Sequence, residues 1–215
     1  MRKTIWASMV ALAAFTVGSE ARAQQWGLHS GDTVRSGGNM VYGDFGWPSV
    51  GFGWAHGLND KVDIGVLLHL PYGFEYRPDA ITVGLGLRAP IRITPLRTNK
   101  VSLQIHVDPG IKFDSFDDLN HRVLFGLAIP VGLEVGIHLT REATLSFGME
   151  IPFYLNVTDV VYAGLPLLFG PGFEYHIDDH IGLGLNTKFG PSLTPGIEPV
   201  VDFGFLVQAF FAYHI

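Results

Sequence analysis

Apolar and polar residues alternate with a period of two over long stretches of the chain. From residue 81 to residue 93 every odd position is apolar, and the even positions carry Thr, Gly, Arg and Pro. The same alternation runs through 123–139 and through the last stretch, 201–215. A helix repeats its apolar residues three and four positions apart, whereas successive side chains of a strand point to opposite faces. These stretches are therefore predicted to be β-strands with one apolar and one polar face.

The full pattern predicts ten strands, joined alternately by tight polar turns and by mostly longer connections. The predicted spans are 39–46, 49–57, 62–72, 81–94, 101–113, 122–139, 143–155, 164–177, 181–190 and 200–215. The tight turns recur at intervals of roughly forty residues, which indicates a repeated hairpin and not a second domain. The fold class predicted from this rhythm is all-β. The architecture is a closed antiparallel up-and-down transmembrane β-barrel of about ten strands, within a range of about eight to twelve.

The first 23 residues have the features of a secretory signal peptide. Arg2 and Lys3 supply a positive start, 5–17 is an apolar run, and Ala21 and Ala23 are small residues at a cleavage site. The apolar run is shorter than the roughly 20 residues that a membrane-spanning helix needs. The chain is therefore divided into a signal peptide at 1–23, an N-terminal segment at 24–38 and a barrel at 39–215.

The amino-acid composition argues against several classes of function. The chain has no cysteine, which excludes a disulfide framework, a thiolate metal site and a cysteine nucleophile. Its formal net charge of −6 argues against nucleic-acid binding, which usually requires a basic surface. The 27 glycines and 13 prolines disfavour an all-helical fold, because both residues destabilise helix interiors.

The alternation leaves open which face of the barrel points outward. A soluble, lipocalin-like barrel would place the apolar face inside, around an apolar ligand, whereas a membrane barrel places it outside, against lipid. Glycines are frequent on the polar face, where small residues suit the crowded interior of a narrow barrel. Aromatic residues gather near strand ends, as they do at the two membrane interfaces. Both features favour the arrangement with the apolar face in lipid.

The last strand carries the pattern of a membrane barrel most clearly. Residues 203–215 read FGFLVQAFFAYHI, with apolar residues at alternate positions counted back from the end. This strand resembles the C-terminal signal of bacterial outer-membrane β-barrel families, although those usually end in Phe and this chain ends in Ile. The resemblance covers nearly all of the chain after the signal peptide. It implies location in the outer membrane of a Gram-negative-type bacterium, with segment 24–38 in the periplasm. It also implies outer-membrane lipid and the barrel-assembly machinery as partners.

Charged residues on the polar face are the candidate functional set. The nine lumen-lining candidates are Arg88, Arg92, Asp108, Lys112, Glu134, Glu150, Glu174, Lys188 and Asp202. They would either line a narrow water-filled pore or form a plug of mutually satisfied ion pairs. Ten strands lie close to the size at which side chains fill the interior, which favours the plug. If a pore exists, Glu134, Glu150 and Glu174 on consecutive strands predict a mild preference for cations.

Other chemistry is not expected from this sequence. His176 and His180 have the spacing of a helical zinc site, but they flank a predicted turn between strands. Ser102 and His106 lie on one strand, beyond direct hydrogen-bond reach of each other. No metal, no cofactor, no catalytic residue and no nucleic-acid partner is therefore predicted, and the oligomeric state stays open.

The predicted function is a small porin-like or structural outer-membrane protein. A lipid-modifying barrel enzyme and a soluble binder of an apolar ligand remain as alternatives.

Overall fold

The computed structural model describes residues 26–73, 82–116, 122–158, 162–194 and 200–215, and this part of the chain is almost entirely β-strand. The strand segments are β1 Asn39–Trp47, β2 Ser49–Asn59, β3 Val62–Pro71, β4 Thr82–Arg88, β5 Ile91–Arg97, β6 Val101–Val107, β7 Gly110–Phe116, β8 Arg122–His138, β9 Ala143–Asn156, β10 Tyr162–Pro166, β11 Leu168–His176, β12 Ile181–Thr194 and β13 Val200–His214. Within these residues no helix is long and apolar enough to cross a membrane.

The strand segments form one closed antiparallel ring with ten positions. Three positions hold two segments each, because β4 with β5, β6 with β7 and β10 with β11 pair with the same neighbouring strands. Pro90 and Pro109 lie in two of the breaks, where a proline cannot donate a ladder hydrogen bond. β1 pairs with β13 and closes the ring. The predicted ten-stranded antiparallel barrel is thus confirmed, with strand ends that differ by a few residues.

The tight turns are held by side-chain oxygens of the turn residues themselves. The carboxylate of Asp178 accepts hydrogen bonds from the backbone N–H groups of His180, at 2.8 Å, and Ile181, at 2.7 Å. These two donors hold the pKa of Asp178 below its usual value. Thr98 and Thr140 accept backbone N–H groups in their own turns in the same way. Such local bonds explain why short Asp- and Thr-containing segments reverse the chain at this end of the barrel.

The polar face of the barrel lies inside and the apolar face lies outside. Glu134, Glu174 and Lys188 are each only 1% exposed, whereas Val123 and Phe203 are each 61% exposed. Alternate residues along each strand carry this difference, as the period-two pattern requires. The arrangement is the reverse of a soluble barrel that encloses an apolar ligand.

Residues 26–35 run inside the barrel at the end that carries the tight turns. Trp26 is 1% exposed and Val34 is fully buried. The indole Nε1–H of Trp26 donates to the carbonyl of Asp179, at 2.9 Å, in the turn between β11 and β12. Segment 24–38 was predicted to be separate from the barrel, but its residues 26–35 lie in the barrel interior. We call residues 26–35 the inner segment.

An apolar cluster anchors the inner segment to the barrel wall. Three of its residues, Trp26, Leu28 and Val34, are in this cluster, and the wall contributes Met40, Ala55, Phe210 and Ala212. The Trp26 ring stacks on His214 with ring centroids 5.5 Å apart, and meets the edge of His176 at 4.2 Å. Burial of side chains of this size contributes about 1.5–3 kcal/mol each, which makes the inner segment a stable part of the fold.

Glycines of the wall provide the space that the inner segment and several large side chains occupy. A Cβ atom at Gly136 would overlap the carbonyl oxygen of Ser30, and one at Gly57 would overlap that of Arg35. Further glycines face large side chains across neighbouring strands, namely Gly53 facing Tyr42, Gly164 facing Tyr154 and Gly148 facing Glu134. The glycine-rich polar face therefore reflects a tightly filled interior.

Candidate functional site

Arg92 binds the inner segment to the wall. Its Nε and one terminal nitrogen donate to the two carboxylate oxygens of Asp63, at 2.8 and 2.9 Å. Its other terminal nitrogen donates to the carbonyls of Gly27, at 3.1 Å, and Leu28, at 2.9 Å. Asp63 also accepts the backbone N–H of Val34 at 2.8 Å. This bidentate ion pair is buried and satisfies backbone groups that the inner segment cannot pair by itself.

Glu174 binds the same segment from the opposite side of the lumen. Its carboxylate accepts the backbone N–H groups of Leu28, at 3.2 Å, and His29, at 3.1 Å. The Nε2 atom of His176 lies 3.0 Å from the same carboxylate. The carboxylate of Glu174 is therefore held by backbone donors of the inner segment and by His176.

Asp32 fixes the second half of the inner segment. Its carboxylate accepts from Arg97 Nε at 2.7 Å, and its backbone carbonyl accepts from the side-chain amide of Gln104. Burial raises the pKa of Asp32 to about 6, and the charge of Arg97 opposes this rise. Close by, the Ser102 hydroxyl donates to the carbonyl of Ser30 at 3.0 Å.

Lys188 forms a buried bridge between two carboxylates at mid-height of the barrel. Its Nζ lies 3.1 Å from Glu134 and 3.2 Å from Glu150. The side chains of Lys188 and Glu134 are 1% and 2% exposed, so this network is shielded from water. Buried charges of this kind are stable only when they are paired and hydrogen-bonded.

A second ion pair lies toward the end of the barrel that carries the longer connections. Lys112 Nζ is 2.7 Å from Asp114, and it lies 4.4 Å from the centroid of the Tyr154 ring. Here a small cavity of about 20 Å³ is lined by Lys112, Asp114, Tyr154, His69, Arg88 and the prolines 48, 71, 130 and 152. We call it the outer cavity.

A larger cavity of about 90 Å³ lies between the inner segment and the outer cavity. We call it the central chamber. Its floor includes Leu28 and His29 of the inner segment, and its walls include Arg88, Asp44 and Asp108. Burial lowers the pKa of His29 to about 3, so this imidazole is neutral and adds no charge to the chamber.

The nine lumen-lining candidates occupy distinct places. Arg92 and Glu174 hold the inner segment, and Lys188 joins Glu134 to Glu150. Lys112 is paired with Asp114, while Arg88 and Asp108 line the central chamber. Asp202 lies near the start of β13 at a position whose side chain points inward. It is nevertheless exposed and does not line the enclosed interior.

The three glutamates on which the predicted cation preference depended are all engaged. Glu134 and Glu150 bind Lys188, and Glu174 binds the inner segment. The alternation could not reveal the inner segment, because this segment has no strand pattern. Two sequence features could have indicated it: Trp26, a large apolar residue before the first strand, and the glycines of the wall, which leave space for another piece of chain.

The described residues contain no group of three or more His, Asp or Glu side chains placed to hold a metal ion. Known proteins give no further guidance on the interior, because no family model and no curated protein matches the sequence. Function is therefore inferred from the geometry of the interior and of the outer face.

Proposed function

We propose that the protein is a small integral β-barrel of the bacterial outer membrane, with a structural role and a lumen closed to porin-like passage. The observation that carries this proposal is the inverted burial of the barrel. An outer surface of exposed Val, Leu, Ile and Phe around a charged interior suits a lipid environment, and it would be an aggregation hazard in water.

Strand length and aromatic placement support a membrane location. β8 has 17 residues and β13 has 15, more than the roughly 9–11 that a tilted strand needs to cross a bilayer. Tyr175 and Tyr213 point outward near the tight-turn end, where they are 42% and 41% exposed. Toward the other end, the outward rings of Phe189 and Phe203 stack 6.4 Å apart. Aromatic side chains at two levels are typical of membrane interfaces.

Closure of the lumen supports a structural role over an open pore. The inner segment occupies the tight-turn end and is held there by two buried carboxylates, by Arg92 and by the apolar cluster. A ten-stranded barrel has little interior space beyond its side chains. No continuous water-filled path is therefore expected while the inner segment is in place.

A charge on the outer face tests the membrane location. Leu185 lies within β12 and is 46% exposed. Leu185→Arg is expected to lower the free energy of unfolding in lipid vesicles by about 2–4 kcal/mol, because an arginine would face hydrocarbon. Urea unfolding, followed by the mobility of unboiled protein on a denaturing gel, measures this change.

Leu58 supplies the matched control, since it is 52% exposed and lies at the tight-turn end of β2. Leu58→Arg is expected to cost no more than about 1 kcal/mol, because it lies near an interface. If Leu185→Arg were as stable as the wild type and the protein stayed soluble without detergent, the membrane location would be wrong.

Conductance tests the closed lumen. Wild-type protein inserted into a planar bilayer is expected to give no discrete current steps, because the inner segment fills one end of the lumen. A boiled sample and a known porin serve as negative and positive controls. Reproducible steps from verified folded protein would contradict closure and favour a porin-like function.

A further inference from the structure

We propose that the wall around the inner segment is a binding site for an extended peptide, and that the inner segment is the occupant that the chain itself supplies. The ligand class is a peptide that begins with tryptophan and has an acidic residue six positions later, as residues 26–35, WGLHSGDTVR, do. The inference goes beyond the structural role proposed above. It depends on contacts inside the barrel, and not on whether lipid surrounds the barrel.

The wall binds the inner segment mainly through the main chain of that segment. Six wall side chains bind eight backbone groups of residues 27–34. We call these six side chains the cradle, which consists of Asp63, Arg92, Thr94, Ser102, Gln104 and Glu174. Main-chain hydrogen bonds give affinity for a peptide, and pockets for side chains give specificity.

The cradle supplies donors and acceptors with the spacing of a polypeptide backbone. Its guanidinium, hydroxyl and amide groups donate to the carbonyls of residues 27, 28, 30, 31 and 32. Its carboxylates accept from the N–H groups of residues 28, 29 and 34. A compact small molecule does not offer this series of groups over eight residues, whereas any extended peptide does.

Three contacts give the site a preference for particular side chains. The first residue, Trp26, stacks on His214 and donates from its indole to a turn carbonyl. The carboxylate of Asp32, six positions later, accepts from Arg97 Nε at 2.7 Å. Val34 is fully buried in the apolar cluster. The preferred ligand is therefore an aromatic residue, an acidic residue and a small apolar residue at these spacings.

The wall does not need the inner segment to compensate its charges. Arg92 is paired with Asp63 on a neighbouring strand, and this ion pair joins two wall residues. Among the described ion pairs, only those of Asp32 join the inner segment to the wall, through Arg97 and His138. The side chain of Arg97 is 25% exposed, so water reaches it. Replacement of one peptide by another therefore breaks no ion pair between wall residues, which would be the costly case.

Both ends of the inner segment lie at the tight-turn end of the barrel. Trp26 is bound to the turn between β11 and β12, and the N–H of Gly37 donates to the carbonyl of Gly57, near the end of β2. The segment thus enters and leaves through one end, and its replacement needs no threading. Ser36 and Gly37, which lead to β1, are exposed. Gly37 has a φ of 73° and open space around it, so it provides an unhindered hinge.

A labelled copy of the inner segment tests the site in the full chain. In the wild type this peptide competes with a tethered occupant, whose effective concentration is roughly millimolar for a short linker. Trp26→Ala weakens the tethered occupant and leaves the cradle unchanged. Folded, detergent-solubilised Trp26→Ala protein is therefore expected to bind acetyl-WGLHSGDTVR at least a hundredfold more tightly than the wild type does. Fluorescence anisotropy measures this binding, which is expected to saturate at one peptide per chain.

Trp54→Ala is the matched protein control, because Trp54 points outward and does not contact the inner segment. This variant is expected to bind the peptide as weakly as the wild type does.

Changes in the peptide separate the two modes of recognition. A peptide with the Trp26→Ala change is expected to bind the Trp26→Ala protein at least a hundredfold more weakly than the native peptide does. A peptide with an ester in place of the amide between residues 27 and 28 lacks the N–H that Glu174 accepts. It is expected to bind at least fivefold more weakly, and a scrambled peptide is expected not to bind.

A cleavable hinge keeps the test independent of the folding of Trp26→Ala. A seven-residue protease site inserted between Ser36 and Gly37, both exposed, allows the folded protein to be cut there. After cutting, the inner segment is no longer tethered, and labelled peptide is expected to replace it with saturation. The uncut protein is expected not to take up peptide at the same concentration.

Two results would overturn the proposal: folded Trp26→Ala or cut protein that binds no peptide, and equal binding of the native and scrambled peptides. Both results are independent of the Leu185→Arg test and of the conductance of the wild type. Failure of the peptide site therefore leaves the proposed membrane barrel intact, and failure of the membrane location or of the closed lumen is recognised separately.

Discussion

Lys188→Met is expected to lower the free energy of unfolding by about 3–5 kcal/mol, the cost of breaking a buried ion pair by removing one partner. Methionine has a similar volume, so the change removes the charge and leaves the packing nearly intact. The carboxylates of Glu134 and Glu150, which lie 3.1 and 3.2 Å from Lys188 Nζ, would then lack their shared cation. Urea unfolding of the refolded barrel, read from gel mobility, measures the loss.

Lys100 provides the control for this change, because it is an exposed lysine in the turn between β5 and β6. Lys100→Met is expected to alter stability by no more than about 0.5 kcal/mol. The triple variant Lys188→Met, Glu134→Gln, Glu150→Gln is expected to recover most of the loss, since it leaves no uncompensated charge. Equal stability of Lys188→Met and Lys100→Met would show that the bridge does not stabilise the barrel.

Trp26→Ala is expected to cost about 3–5 kcal/mol, as for other buried large-to-small substitutions. The change removes a ring that is 1% exposed and the hydrogen bond from its Nε1 to Asp179. The inner segment would lose its main apolar anchor. Gel mobility across a urea series measures the effect without relying on tryptophan fluorescence, which the substitution itself changes.

Trp54 is the matched control on the opposite face of the wall. It points outward, is 40% exposed and stacks on His56. Trp54→Ala is expected to cost no more than about 1.5 kcal/mol, the value of an aromatic pair. If Trp26→Ala cost no more than Trp54→Ala, the inner segment would not be held as the structure indicates.

The alternation of apolar and polar residues predicted the strands well, because side-chain direction in a strand is a local property of the backbone. The odd positions of 201–215 predicted the outward face of β13, where Phe203 and Phe211 are exposed, and the even positions predicted the inward face, where Phe210 and His214 are buried. The tight turns are also determined by local sequence, since Asp178, Thr98 and Thr140 accept backbone hydrogen bonds within their own turns.

The candidate site was predicted only in part. Eight of the nine charged candidates line or face the interior, because strand alternation places them there. The side chain of the ninth, Asp202, also points inward, but this residue lies near the start of β13, beyond the enclosed part of the interior. A period of two does not encode the distance of a residue along the barrel axis. Asp63 and Asp32 were missed, because their role depends on a segment that the pattern did not include.

The sequence by itself determined an antiparallel barrel of about ten strands and the polar character of one face. These follow from spacing along the chain and from turn chemistry, which involve neighbouring residues. The tertiary structure alone decided which charges meet, that residues 26–35 close one end, and that a chamber remains above them. Arg92 meets the carbonyl of Leu28 across a sequence separation of 64 residues, and Glu174 meets the N–H of the same residue across 146. Such contacts depend on ring closure and on the space left by glycines such as Gly136, and no local pattern records them.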